Sequence, residues 1–461
     1  MKRLLFSFAF LVAASGMIHA EDWPQWLGPN RVGEWKETGL VDTFPAGGPK
    51  VLWRAKAGTG YAGPAVANGK VIVPGWEMAP GEKLGGVFSR TKVAGTEFVT
   101  CFDEKTGQQL WQHRYSAPYS ISYAAGPRCT PTIDGERVYT LGAMGDLLCL
   151  DVAKGTVIWS KNFVTDYESP VPLWGFAAHP LVDGDKLICL AGGSDNRLVV
   201  AFDKKTGKEL WTSLSCPGDF GYCPPVIYEF GGKRQLIIWH SRAVAGLDPE
   251  TGKKLWDVPF EVKAALTAPM PRKAGDNLFI TSFYNGSLLL KVGASGAEVV
   301  WKSSARGERP DQTTDLSSIM PTPVLKDGYV YGVCSYGQLR CLELATGKRI
   351  WDTMEATRGH LTPERVRANP EPSTTQPWIE RWANAFLIPM GGDRFVLFNE
   401  QGELILADLT PKGYTERSRT VLIPPTNKMS GRAVVWMHPA FANKCVFARN
   451  DEELICVSLA K

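Results

Sequence analysis

The sequence predicts an all-β protein: an eight-bladed β-propeller with tryptophan-docking motifs, its ring closed by an N-terminal strand. Three observations carry the prediction: a tryptophan-terminated turn that recurs, a proline-opened strand before each turn, and a last unit one strand short. The turn signature runs from Asp103 to Trp111 (DEKTGQQLW), Asp151 to Trp159 (DVAKGTVIW), Asp203 to Trp211 (DKKTGKELW), Asp248 to Trp256 (DPETGKKLW) and Glu343 to Trp351 (ELATGKRIW), with a drifted copy ending at Trp301. Self-similarity at a period of roughly 45 to 50 residues marks a propeller or solenoid. Each copy reads as a hairpin in which the Asp accepts from turn amides, the Gly takes a positive φ, and an alternating strand ends in the indole. One large aromatic per unit suits a small sheet that buries a face against the next.

The proline-opened strands begin at Pro64, Pro131, Pro180, Pro225, Pro269, Pro323, Pro389 and Pro439, which makes eight units. Proline at a strand's first residue gives up no ladder bond. In units two to six the distance from proline to tryptophan is 28 to 32 residues, room for four strands of ordinary length. Unit seven has no tryptophan, and Thr420 to Ile423 is assigned as its last strand. Unit eight reaches Lys461 after three strands, and its fourth is assigned to Lys50–Lys56 (KVLWRAK) at the other end of the chain. Pairing the two ends removes two exposed edges. Trp53, Trp111, Trp159, Trp211, Trp256, Trp301 and Trp351 are thereby assigned to blade docking.

Strand order also orients the loops. If each blade runs through antiparallel strands A to D, the A–B and C–D turns share one face, and these are short (ANGK, IDGE, KTGQ, KTGK). The inserted sequence falls on the opposite face: Pro74 through Thr96 between strands B and C of unit one, and the D–A connections 160–178, 302–320 and 352–385. Loops on a rigid scaffold are where binding usually resides. The last connection places Thr362 as an N-cap before a short helix carrying Trp378 and Trp382 at helical spacing.

Residues 1–20 carry Lys2 and Arg3, an apolar run from Leu4 to Ala14, and Ala20 at a cleavage position, the pattern of a secretory signal peptide. The domain reading is therefore a signal peptide over 1–20, an N-terminal extension over 21–49 and the propeller over 50–461, with a periplasmic or extracellular location. No later stretch approaches about 20 apolar residues, so no membrane span is expected. The net charge of +4, which loses Lys2 and Arg3 on cleavage, gives no reason to expect a nucleic acid. A monomer is expected.

Cys101, Cys149, Cys341 and Cys456 fall in one repeat slot that Ala201 and Gly246 fill elsewhere, so they read as small packing residues. Cys216 and Cys223 flank a turn-rich loop in which a local bridge is geometrically open. There is no CxxC, GxSxG or HExxH, so haem attachment, the common zinc arrangements and serine hydrolysis lack a motif.

The pattern A/C-x-D-x-x-T-G-K-x-x-W, over Trp53 to Lys461, resembles the docking motif of the pyrroloquinoline-quinone (PQQ) repeat family, and WPQWLGPNRVG (Trp23 to Gly33) resembles the start of many secreted propellers of this kind. The family includes quinoprotein alcohol dehydrogenases and non-enzymatic propellers such as the BamB-type assembly factor of the outer membrane. The dehydrogenases carry an adjacent cysteine pair beside the quinone and a calcium held by Glu and Asn with a catalytic Asp nearby. This chain has no Cys-Cys and no segment matching the calcium motif, so no catalytic residue, no metal ligand and no cofactor is assigned. It also lacks a cysteine in its signal region, where the assembly factor is lipidated. The reading is a secreted or periplasmic, non-enzymatic scaffold binding an envelope or extracellular protein or polymer through the long-loop face; the alternatives are a BamB-like assembly factor and a PQQ-dependent dehydrogenase.

Candidate ligand-binding residues come from the segments leading into strand A. Arg128, His179, Tyr222 and His438 are placed at the channel mouth, joined by Trp174 and Trp436. The competing reading is that each satisfies backbone groups at a sheet end. Asp311 and Asp315 are oxygen ligands in type, but they read as part of a solvated loop. Arg365, Arg367 and Arg381 sit with Glu364 and Glu380 and read as a charge-balanced helix.

Overall fold

Turn chemistry builds the repeating hairpin. Asp103 Oδ1 accepts from the amides of Lys105 and Thr106 at 3.1 and 2.9 Å and from Thr106 Oγ1 at 2.8 Å, while Gly107 closes the turn at φ 70°, a conformation that a Cβ disfavours. Asp151, Asp203 and Asp248 repeat these amide bonds. The computed structural model describes residues 21–193, 195–334, 336–358, 381–429 and 432–461. The signal peptide of residues 1–20, and Thr362, Glu364, Arg365, Arg367, Trp378 and Glu380 of the blade 6–7 connection, lie outside the described residues.

Eight four-stranded antiparallel sheets form an eight-bladed propeller. Blade 1 comprises Ala65–Ala67, Lys70–Met78, Gly95–Asp103 and Gln109–Ser116 as strands A to D. Blades 2 to 7 span 132–162, 181–213, 226–259, 272–302, 324–353 and 385–421. Blade 8 takes Ala440–Ala442, Cys445–Arg449 and Glu453–Ser458 from the C-terminus and its outer strand, Val51–Lys56, from the N-terminus. Trp53 pairs with Cys456 and Ala55 with Leu454, and the Trp53 and Phe447 rings lie 6.0 Å apart.

Each docking indole lies on the C–D turn of the following blade. Trp53 Nε1 donates to Glu104 O at 2.7 Å, Trp111 to Val152 O at 3.0 Å, Trp159 to Lys204 O at 3.2 Å, Trp301 to Leu344 O at 2.9 Å and Trp351 to Thr410 O at 2.9 Å. Two blades depart. Trp211 lies against Gly252 but its indole nitrogen has no partner among the described residues, and the matching carbonyl position is Pro249. Trp256 donates within its own blade, to Gln235 Oε1 at 2.6 Å; the C–D turn of blade 5 lacks the Asp-Thr-Gly signature, and its Gly293 carbonyl accepts from Gln235 Nε2 at 2.8 Å. Opposite six of the seven indoles sits the small-residue slot, Cys101, Cys149, Ala201, Gly246, Cys341 and Cys456, while Trp301 faces Leu289. All ten cysteines are free and buried; Cys216 and Cys223 pack in different cores.

Four strand assignments shift. Strands B and C of blade 1 pair out to Met78 and Gly95, so the insertion is 79–94; buried Trp76, stacked on Tyr119 at 4.6 Å, extends the sheet. The outer strand of blade 7 is Gly413–Val421, where charged residues hide the alternation. Pro389 ends strand A of blade 7, Ala385–Pro389, and Pro271 directly precedes strand A of blade 5, Arg272–Ala274.

The N-terminal extension fills the channel. The innermost strands turn their free edges inward, and unpaired backbone groups there need partners. Trp23 exchanges main-chain bonds with Val66 in blade 1, Pro24 O accepts from Ile133 N in blade 2, and Trp35 N donates to Pro389 O in blade 7, all at 2.8 Å. Buried Arg31 donates to the carbonyls of His179, Pro180 and Pro225 in blades 3 and 4, and Arg272 of blade 5 donates to Val32 O at 2.9 Å. Among the described residues no helix is long and apolar enough to cross a membrane.

Candidate functional site

The D–A connections converge on one cavity of about 140 Å³ at the long-loop end of the channel, and all eight contribute to its lining. Tyr61 enters from the blade 8–1 connection, Tyr123 and Arg128 from 1–2, Trp174 and Ala177 from 2–3, and Tyr222 from 3–4. Leu266 and Ala268 come from 4–5, Ile319 and Met320 from 5–6, Trp382 from 6–7 and Trp436 from 7–8. One position recurs. Tyr61, Arg128, Ala177, Tyr222, Ala268, Met320 and Trp436 each stand three residues before the proline that directly precedes strand A.

Of the six predicted residues, the cavity gathers Arg128, Trp174, Tyr222 and Trp436 and leaves out His179 and His438. The two histidines stand one residue before the proline, two residues further along an extended segment and so about 7 Å deeper. There they pack on Trp26 of the channel plug, with ring centroids at 4.4 and 4.8 Å. Burial holds both neutral, lowering His438 to about 4 and His179 well below its ordinary value. His179 Nδ1 accepts from Thr130 N at 2.9 Å, so it satisfies a backbone group at a sheet end.

Among the described residues, six aromatic and five aliphatic side chains line the cavity together with one cation, Arg128. Trp174 meets Tyr222 edge-on at 5.5 Å, Tyr123 lies 6.1 Å from Trp382 and 6.3 Å from Trp436, and Tyr61 lies 6.3 Å from Trp436. Trp436 Nε1 donates to Glu400 Oε2 at 3.0 Å, and Arg432 fixes that carboxylate at 2.8 Å. Tyr222 donates to Asp219 at 2.7 Å; burial and that carboxylate push its pKa well up. Arg128 is placed by the carbonyls of Ser122, Tyr123 and Gly126 and lies over the Tyr61 ring at 5.2 Å. Burial lowers its pKa, and no carboxylate among the described residues comes within ion-pairing distance.

On the rim, Phe88 of the blade 1 insertion is 60% exposed beside exposed Leu84 and Val87, and its ring meets Tyr123 at 5.6 Å. A side cavity of about 100 Å³ shares Tyr61 and Tyr123 with the main one and runs past Gly85 and Gly86 to Asn427 and Lys428.

Asp315 is buried rather than solvated: its Oδ1 accepts from Ser287 N at 3.0 Å, joining blade 5 to the connection that follows it. Asp311 stays exposed beside Arg309. Arg381 pairs with Glu308 at 2.8 Å and lies over the Trp382 ring at 4.5 Å; the other residues of the predicted charge-balanced helix lie outside the described residues. Among the described residues no three His, Cys, Asp or Glu are grouped to hold a metal ion.

Residues 95–353, more than half of the chain, match the profile of the family described as outer membrane protein assembly factor BamB. The chain belongs to that family. The outer membrane protein assembly factor BamB of Alteromonas naphthalenivorans is 25% identical over 233 residues, 49% of this chain and 54% of that protein. The chain spans about half the length of the curated relatives it matches. The structure of BamB from Moraxella catarrhalis superposes with a TM-score of 0.53 at 14% identity over 89% of this chain and 97% of the other. That of quinohemoprotein alcohol dehydrogenase ADHIIG from Pseudomonas putida gives 0.57 at 11% identity over 95% and 80%. At these identities the structural likeness establishes the fold, which both a BamB and a dehydrogenase share.

Proposed function

We propose that this BamB-family propeller is a non-enzymatic, extracytoplasmic binding protein that holds a protein or polymer against its long-loop face, seating a ring-bearing group of that ligand in the aromatic cavity. The observation that carries the reading is convergence: all eight connections supply the lining, above a channel filled by the N-terminal extension. A ligand therefore enters a blind site from one face. A cavity of this size takes one six-membered ring, and flat aromatic walls reward a ring by stacking.

The lining does not fit a calcium-bound tricyclic quinone. Calcium takes six to eight oxygen ligands, mostly carboxylates, amides and carbonyls; among the described residues the side chains lining this cavity include no carboxylate or amide, and its volume is that of one ring. This mismatch supports binding over oxidation. Immobilised protein should retain the same set of envelope proteins or polymers in repeated trials, and the double variant Trp174→Ala, Trp436→Ala should lose most of that set. Equal retention by the variant, or dye-linked alcohol oxidation by the protein after adding PQQ and calcium, would overturn the proposal.

A further inference from the structure

We infer that the ring-bearing group seated in the cavity carries a carboxylate: a single six-membered ring with an acid two or three bonds away, held by Arg128 and Tyr61. The inference rests on the ring-seating reading above and adds the charge.

The polar groups at this site are donors short of acceptors. A guanidinium has five N–H donors, and main-chain carbonyls take three from Arg128. Arg128 is half-buried, and a cation partly withdrawn from water with no carboxylate in ion-pairing distance is stabilised by a ligand that supplies the charge. Tyr61 accepts from Asn427 Nδ2 at 3.1 Å, and its own hydroxyl proton has no acceptor among the described residues. The Trp382 indole N–H, on a side chain only 5% exposed, is buried without a partner. Glu400 and Asp219, the carboxylates bonded to lining residues, are occupied: Glu400 by Arg432 and Trp436, and Asp219 by Tyr222 and the Leu173 amide.

A neutral sugar ring would bring hydroxyl donors to a lining whose side-chain acceptors are tyrosine hydroxyls, and it would bring no charge to answer Arg128. A ring with an acid brings apolar faces to the aromatic walls and acceptor oxygens to the idle donors. Charge-assisted bonds from a preplaced guanidinium are the stronger kind. Such a ligand is either a free small acid or the terminal residue of a peptide. The side cavity, with its two glycines and Lys428, is where a peptide chain would leave.

Isothermal titration of the full mature chain tests this with 3-phenylpropionate, its amide, benzyl alcohol, and a glycine-rich hexapeptide ending in phenylalanine with a free or amidated terminus. Each acid should bind at least tenfold tighter than its amide. A hexapeptide acid tighter than phenylpropionate by a further tenfold identifies a peptide terminus, and equal affinities identify a small acid. Arg128→Gln should abolish the preference for acid over amide while benzyl alcohol still binds. Tyr61→Phe, which keeps the ring over Arg128, should reduce that preference about threefold. Acid and amide binding alike, with benzyl alcohol also bound, would overturn the carboxylate and leave the ring site standing. If none of the five probes bound, both would fall.

Discussion

Trp111 and Trp211 occupy equivalent places on the turns of blades 2 and 4, over Gly155 and Gly252, yet of the two only Trp111 has an acceptor among the described residues, Val152 O at 3.0 Å. Replacing each by phenylalanine separates packing from hydrogen bonding. Both variants lose the same few ring atoms, worth about 1 to 2 kcal/mol in a packed site. Trp111→Phe also breaks a bond worth about 1 kcal/mol net, for a total of about 2 to 3 kcal/mol. Trp211→Phe removes a donor that is already unsatisfied, and relieving its burial recovers about 1 kcal/mol. That variant should lose about 1 kcal/mol or less. Urea unfolding at pH 7, followed by far-ultraviolet circular dichroism and converted through a common m-value, measures both. Losses equal to within about 0.5 kcal/mol would refute the claim that the blade 3–4 junction lacks its docking bond.

Two further outcomes follow from the channel. His438, lowered to about 4 by burial, contributes stability that is fully present above its unfolded pKa near 6.5 and lost as pH falls toward 4; by pH 5 the loss should be about 2 kcal/mol, and urea midpoints of wild type and His438→Asn at pH 7 and 5 should show the variant with the flatter response. Arg31→Met strips donors from the carbonyls of His179, Pro180 and Pro225 and should cost about 2 to 3 kcal/mol, with faster tryptic cleavage after Lys36; an unchanged midpoint and digestion rate would show that the plug is not held there.

The ring was legible because its determinants are local and repeated. An Asp, a Thr, a Gly and a Trp within nine residues fix a hairpin wherever they occur, and the missing strand of the last unit located Trp53. Strand edges were less legible where special contacts override the pattern: Trp76 prolongs two strands of blade 1 by stacking on Tyr119, and Pro389 closes a strand rather than opening one. The site was half legible. The residue three places before a strand-opening proline lines the cavity, and the residue one place before it lies below, so grouping both offsets together placed His179 and His438 beside Arg128. Offset alone separates them once the direction of strand A is known.

The channel plug was not legible because its contacts are non-local. Arg31 is 149 residues from Pro180 and 194 from Pro225, and no periodicity in WPQWLGPNRVG announces partners in six blades. Its consequence is functional. Eight inner strands leave a tube, and a tube has two mouths; threading residues 21–36 across it satisfies the inner edges and puts Trp26 beneath the cavity. The short-turn face is left with tight hairpins, while the other face has the insertions, the exposed rim of Leu84, Val87 and Phe88, the Arg128 guanidinium and, among the described residues, the unpartnered indole N–H of Trp382. A scaffold needing only a broad contact surface would have no reason to keep a half-buried guanidinium with no carboxylate in ion-pairing distance at the centre of that face. On the binding reading proposed above, Arg128 makes the cavity, rather than the rim, the part of this face that discriminates among ligands.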